Sequence, residues 1–271
     1  MCSHLRLRIL SVGLIVVSVS CHGATTGSPT EPTLEEQPTD DPSPPPSPAP
    51  GPRWSLRFAR YLAFGDSLTS GMTSPNAINL AAGLGDEYWS MLNTLLQEQY
   101  PDQLITISGA GEPGEWALNG VNRLPLVLAA DPPEVLLLME GVNDLNFFGD
   151  SGVQAAVRAI ERMIGTARAA GIEVIVATLP PERPGGSRAW APSAVVAFNA
   201  LLRDRVPQAG AVLADVYEAM AQDLSLIGPD GLHPTHEGYR LIADVFYETI
   251  RRQYEEERPA VTWSPAGRST H

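Results

Sequence analysis

Val135-Leu136-Leu137-Leu138-Met139 is an uninterrupted apolar run of five residues. A strand with one wet face alternates apolar and polar residues; one without alternation has both faces covered, as in the middle of a parallel sheet. Four further segments read as strands beside it: Tyr61 to Phe64, Leu104 to Ser108, Ile172 to Ala177 and Ala211 to Ala214. Helical periodicity fills the gaps. Trp89, Leu92, Leu95 and Leu96 share a face of a helix over about 87–100, and a second covers about 116–130. Val153, Val157, Ile160, Ile164 and Ala167 form the next face, which Gly171 closes as a C-cap. A helix over about 194–205 and a last one with Leu241, Ile242, Val245, Phe246 and Ile250 turned inward complete the pattern. Strands alternating with helices predict an α/β fold, a three-layer αβα sandwich around a five-stranded parallel sheet joined by right-handed crossovers.

Polar motifs follow the strands, where open α/β sheets place their sites. The strand before Gly65-Asp66-Ser67-Leu68 delivers one serine at its exit. Gly111 and Gly114 follow the second strand, Gly141-Val142-Asn143-Asp144 the third, and Asp230-Gly231-Leu232-His233 occupies a late loop. These four blocks, in this order, resemble the SGNH superfamily of serine hydrolases, the GDSL esterases and lipases. The resemblance covers about 55–255 and implies a flavodoxin-like sheet and ester hydrolysis through a serine nucleophile. Gly109 stands where the family's second block commonly has asparagine, a departure that keeps both following glycines. A second Gly149-Asp150-Ser151 has no strand before it and a helical pattern after it, so Ser151 reads as an N-cap and not as a nucleophile.

A serine hydroxyl needs a base within hydrogen-bond reach. Of five histidines, His4 falls in the leader, His22 beside Cys21 and His271 at the end, leaving His233 and His236 in the body. His236 follows the cap-like Thr235 in the first turn of the last helix. His233 has Asp230 three residues before it in a Gly-containing turn, which lets a carboxylate meet one ring nitrogen while the other faces Ser67. Pro234 holds His233 to extended backbone. The expected catalytic set is therefore Ser67, Asp230 and His233. By resemblance, the oxyanion donors are the backbone N–H groups of Ser67 and Gly111 and the side-chain amide of Asn143. Asp66 and Asp144 read as turn and loop scaffolding. No metal-ligand spacing occurs, and a serine triad requires no cofactor. The loops 72–86 and 179–190 are expected to line the acyl or alcohol site.

A formal net charge of −13 argues against nucleic acid as a partner and gives no attraction to an anionic membrane. Both cysteines fall in the first 21 residues, so no disulfide framework is expected. Arg6 and Arg8, the apolar run Ile9 to Val19 and the small residues before Cys21 read as a signal peptide over 1–21. Its end resembles a bacterial lipobox, with Ser18 where an aliphatic residue is usual. Two outcomes stay open: acylation of Cys21 and attachment to a membrane at the cell envelope, or cleavage and secretion. Residues 22–53, with Pro42 to Pro50 almost all Pro and Ser, read as a disordered linker of polyproline II character. The catalytic domain is expected over 54–255, a flexible tail over 256–271, and a monomer as the working form. An ester is the expected substrate, carried by a lipid, an aryl alcohol or a glycan. Lipolytic or arylesterase-like hydrolysis is the first reading and carbohydrate O-deacetylation the alternative. An inactive tethered glycan-binding protein is the rival from another class.

Overall fold

A computed structural model describes residues 53–73 and 87–258. Cys21, the leader, the linker and most of the 72–86 loop therefore lie outside the described residues.

Five strands form one parallel sheet: β2 (Arg60–Gly65), β3 (Thr106–Gly111), β4 (Val135–Met139), β5 (Glu173–Ala177) and β6 (Val212–Ala214). Their order is β3-β2-β4-β5-β6 and all four pairings are parallel. This is the flavodoxin-like order expected. All five residues of β4 are buried, as its lack of alternation requires. Helices α1 (Tyr88–Gln99) and α7 (His236–Tyr254) pack together, while α2 (Ala117–Ala130), α4 (Val153–Ala169) and α5 (Pro192–Gln208) form a second packed group. Short helices α3 (Val142–Phe148) and α6 (Val216–Met220) follow β4 and β6.

The helix ends follow local chemistry. Gly171 takes φ +77 after α4, the Ile172 N–H reaches Ala167 O at 3.1 Å, and the Gly171 N–H reaches Arg168 O at 2.9 Å. That is a Schellman ending. Thr235 caps α7 by accepting the Gly238 N–H at 3.1 Å, and Pro192 opens α5 at a position where its missing N–H costs nothing.

Three expectations are corrected. The second strand begins two residues late and runs through Gly109 and Gly111, because Ile105 is drawn into the core before the ladder starts. Ser151 is not an N-cap. It ends a 3₁₀ turn, donates its hydroxyl to Phe148 O at 2.7 Å, and Gly152 holds the cap position of α4 without a side-chain bond. A small antiparallel sheet pairs β1 (Arg53–Leu56) with β7 (Glu255–Arg258), in register Arg53↔Arg258 to Leu56↔Glu255. Ordered backbone thus extends three residues into the expected tail.

The sheet positions the site through one feature. The chain passes from β2 outward to β3, then crosses back over β2 to β4, so the carboxyl ends of three neighbouring strands converge at a topological switch point.

Candidate active site

Gly65 is the last residue of β2 and the register partner of both Gly111 and Met139. A Cβ there would stand 1.9 Å from Met139 O, so only glycine allows the strands to close to this spacing. After it the chain turns sharply. Asp66 Oδ1 accepts the Leu68 N–H at 2.9 Å, and Asp66 O accepts the Thr69 and Ser70 N–H groups at 3.2 and 3.0 Å. The indole of Trp89 donates to Thr69 O at 3.1 Å. Ser67 therefore sits on a turn tied at both ends.

Its hydroxyl lies 3.0 Å from Nε2 of His233, and Nδ1 of that ring lies 2.6 Å from Asp230 Oδ2. With Nδ1 protonated toward the carboxylate, Nε2 is left to accept from Ser67. Asp230 Oδ1 also accepts the N–H groups of Leu232 at 3.1 Å and His233 at 3.0 Å. Burial alone would raise this carboxyl, but the bond to His233 and the two backbone donors hold it below the ordinary value. Gly231 permits the turn at φ +83. The 179–190 excursion braces it from outside: the Arg183 N–H donates to Gly231 O at 2.8 Å and the Arg188 N–H to Asp230 O at 2.7 Å. That loop was expected to line the substrate site; its described contacts support the Asp230 turn.

Asn143 lies in the first turn of α3, after Gly141 at φ +114. Its Nδ2 donates to Glu115 O at 2.9 Å, which fixes the amide and leaves one N–H uncommitted by that bond. Asp144 Oδ2 accepts the Ala117 N–H at 2.8 Å at the start of α2. Gly111 and Gly114 differ in their surroundings. A Cβ on Gly111 would meet Ser70 N at 2.3 Å, so that glycine is explained by packing against the serine turn. Gly114 has φ +81 and nothing within 4 Å of its Cβ position. At Gly109 a Cβ would collide with the Trp89 ring at 2.3 Å, which accounts for glycine where asparagine is usual. His236 is the first residue of α7, directly after its cap Thr235.

Several residues near the site had no motif to reveal them. Arg123 of α2 ion-pairs with the buried Glu115, donates to Ala110 O and Gly65 O, each at 3.1 Å, and stacks 4.0 Å over Phe64. One side chain thus ties β2, β3 and the turn that holds Asn143. Trp116, Phe147 and Phe148 form an exposed aromatic cluster with centroids 4.8–5.3 Å apart. Their exposures of 37, 69 and 46% are unusual for three rings in contact. Trp116 directly follows Glu115, and the two phenylalanines lie four and five residues beyond Asn143. Among the described residues, no group of three or more His, Cys, Asp or Glu side chains is arranged to hold a metal ion, and no helix is long and apolar enough to cross a membrane.

The family model of the GDSL-like lipase/acylhydrolase family matches residues 63–241. No curated protein matches the chain. Among solved structures, a carbohydrate acetylesterase family member from Sinorhizobium meliloti is 21% identical, with TM-score 0.61 over 72% of this chain and 98% of that one. An acetylxylan esterase from Geobacillus stearothermophilus is 20% identical, with TM-score 0.57 over 71 and 94%. A member of the lipolytic G-D-S-L family from Veillonella parvula is 18% identical, with TM-score 0.55 over 69 and 96%. At these identities the structural likeness concerns the fold.

Proposed function

The chain belongs to the GDSL-like lipase/acylhydrolase family and is an ester-bond hydrolase, and from that premise we propose that it cleaves carboxylic esters through an acyl-enzyme on Ser67. The observation that carries this reading is the unbroken chain Ser67 Oγ–His233 Nε2, His233 Nδ1–Asp230 Oδ2, at 3.0 and 2.6 Å. His233 takes the Ser67 proton as Oγ attacks the ester carbonyl carbon. Asp230 steadies the imidazolium that forms. The same proton passes to the departing alcohol oxygen, and the C–O bond breaks to leave the acyl group on Ser67. Water, deprotonated by His233, then attacks that acyl carbon, the bond from the acyl carbon to Ser67 Oγ breaks as Oγ takes the proton back from His233, and the acid is released.

The oxyanion is met by the Ser67 N–H, the uncommitted N–H of Asn143 and a glycine N–H. Gly111 was the expected glycine. Its missing side chain has a packing reason, whereas Gly114 opens onto free space in the turn that holds Asn143, so we assign the third donor to Gly114.

The aromatic cluster supports esters with an extended apolar acyl group. Its rings lie at 43, 69 and 75° to one another and present a corrugated apolar surface, not a single flat platform. Exposed apolar patches beside a site mark the part of a ligand that leaves water. The second reading, carbohydrate O-deacetylation, rests on the acetylesterase neighbours. A series of p-nitrophenyl esters from acetate to decanoate, run beside acetylated xylan, separates them. The first reading expects kcat/KM to rise with chain length and to lose that rise in Phe147→Ser/Phe148→Ser. A preference for acetylated xylan supports the second, and no hydrolysis of any ester contradicts both.

We propose further that Cys21 carries the acyl anchor and that residues 22–53 form a tether. The run before Cys21 and the proline-rich composition after it support this.

A further inference from the structure

The ends of β2 and β4 each turn a carboxyl group into the core. Asp66 follows Gly65 and Glu140 follows Met139, and Gly65 and Met139 are register partners. The two residues are 0 and 1% exposed. One oxygen of each is satisfied: Asp66 Oδ1 by the Leu68 N–H, and Glu140 Oε1 by the Gly141 N–H at 3.2 Å. The other two, Asp66 Oδ2 and Glu140 Oε2, are fully buried and meet no donor from a described N–H or O–H group. The two carboxyl groups follow register partners at neighbouring strand ends, and the charge of Asp66 pushes Glu140 up. Two carboxylates cannot donate to one another, and two unpaired charges this deep are strongly disfavoured, which favours retention of a proton by the pair.

We propose that Asp66 and Glu140 are a positioning pair whose one shared proton clamps the ends of β2 and β4, and with them Ser67 and Asn143, at working distance. Ser67 is the next residue after Asp66, and Asn143 lies three beyond Glu140. The surroundings favour retention of the proton. Burial pushes Asp66 up to about 7 and Glu140 well above the carboxylate range, and Asp144 on α3 raises both. Glu115 adds to the effect on Glu140. The guanidinium of Arg123 is committed to Glu115 and two carbonyls. From α1 and α7 the facing groups are the phenols of Tyr88 and Tyr239, which burial keeps neutral. Neither supplies a cation. When alkaline pH removes the shared proton, two buried negative charges repel across the strand ends, and the serine turn and the Asn143 helix separate.

The inference rests on the roles proposed above for Ser67 and Asn143, so its test pairs an activity readout with one independent of activity. In the full chain at neutral pH, infrared difference spectra of wild type against Glu140→Gln should show a protonated-carboxyl C=O band lost in the variant. Glutamine supplies a permanent donor to Asp66 while its oxygen still accepts from Gly141. Glu140→Gln should therefore exceed Glu140→Ala in kcat by at least ~10-fold and lack the alkaline fall of kcat seen in wild type. Should neither variant fold, titration in a Glu182→Gln background, which removes the other carboxyl raised to about 7, decides, because the infrared band must disappear over the same pH range in which kcat falls. A wild-type enzyme without the band, or an identical alkaline limb in Glu140→Gln, overturns the clamp. If no ester is hydrolysed, the functional reading fails while the infrared result still decides the shared proton.

Discussion

His233 is held on three sides, by Asp230 at Nδ1, by Ser67 at Nε2 and through its own N–H by the second oxygen of Asp230. A base fixed this way loses little entropy on reaching the transition state. Ser67→Ala and His233→Ala should each lower kcat by at least ~10³-fold, whereas Ser151→Ala and His236→Ala should leave it nearly unchanged. Steady-state rates on a short-chain ester check this, and an active Ser67→Ala enzyme contradicts it. Asn143→Ala should cost ~10²–10³-fold in kcat with little change in KM, because the role proposed for its amide is to meet charge that develops only in the transition state. A change confined to KM would move Asn143 into ground-state binding. These residues were legible in the sequence because each lies in a short motif at a strand exit or turn. Glu140 was not: it follows an apolar strand, and only the register of β4 with β2 places it beside Asp66.

At the scale of elements, the site is the meeting of three strand ends, and Arg123 ties two of them, β2 and β3, to the turn at Glu115. Its partners are two carbonyls and a carboxylate from three different segments, a pattern with no periodicity to detect in the chain. Removing it leaves Glu115 as an unpaired buried charge. Arg123→Ala should thus destabilise the fold by about 3 kcal/mol, read from denaturant midpoints; a loss below ~1 kcal/mol would show the clasp to be dispensable. Gly111→Ala tests the packing assignment, since the new Cβ meets Ser70 backbone and must move the serine turn. It should reduce kcat even where the protein remains folded. The order and type of the sheet strands were readable from apolar runs and intervening helices. The β1–β7 pair was not, because Glu255-Glu256-Glu257-Arg258 has neither alternation nor strand propensity and becomes a strand only through a partner some 200 residues away.

Over the whole molecule, buried carboxyls set the pH dependence of stability. Burial pushes Asp66 and Glu182 up to about 7. A carboxyl with a raised folded value binds more protons folded than unfolded, so its contribution is complete below the ordinary carboxylate range and declines as pH rises toward 7. Asp230 and Asp215 are held low and contribute in the opposite direction, losing their effect only in acid. Thermal midpoints should therefore peak in mildly acidic solution and decline between about pH 5 and pH 8, a slope that Glu182→Gln flattens. A midpoint that climbs over that interval contradicts this account. Attachment is also a property of the whole chain. Two acyl chains at ~0.8 kcal/mol per buried CH₂ suffice for stable anchoring, and the acidic body adds nothing toward an anionic bilayer. Wild-type protein should fractionate with membranes and take up labelled palmitate, and Cys21→Ala should lose the label. Soluble wild-type protein without label would replace anchoring with secretion.

The proposed acyl-enzyme is the most direct object to measure. Treatment of the full chain with a fluorophosphonate, followed by intact mass and peptide mapping, should show one adduct, located on Ser67 and absent from Ser67→Ala and from unfolded protein. An adduct on Ser151 or another serine, or ester hydrolysis that persists in wild-type protein fully exposed to the reagent without any adduct, would contradict a mechanism centred on Ser67.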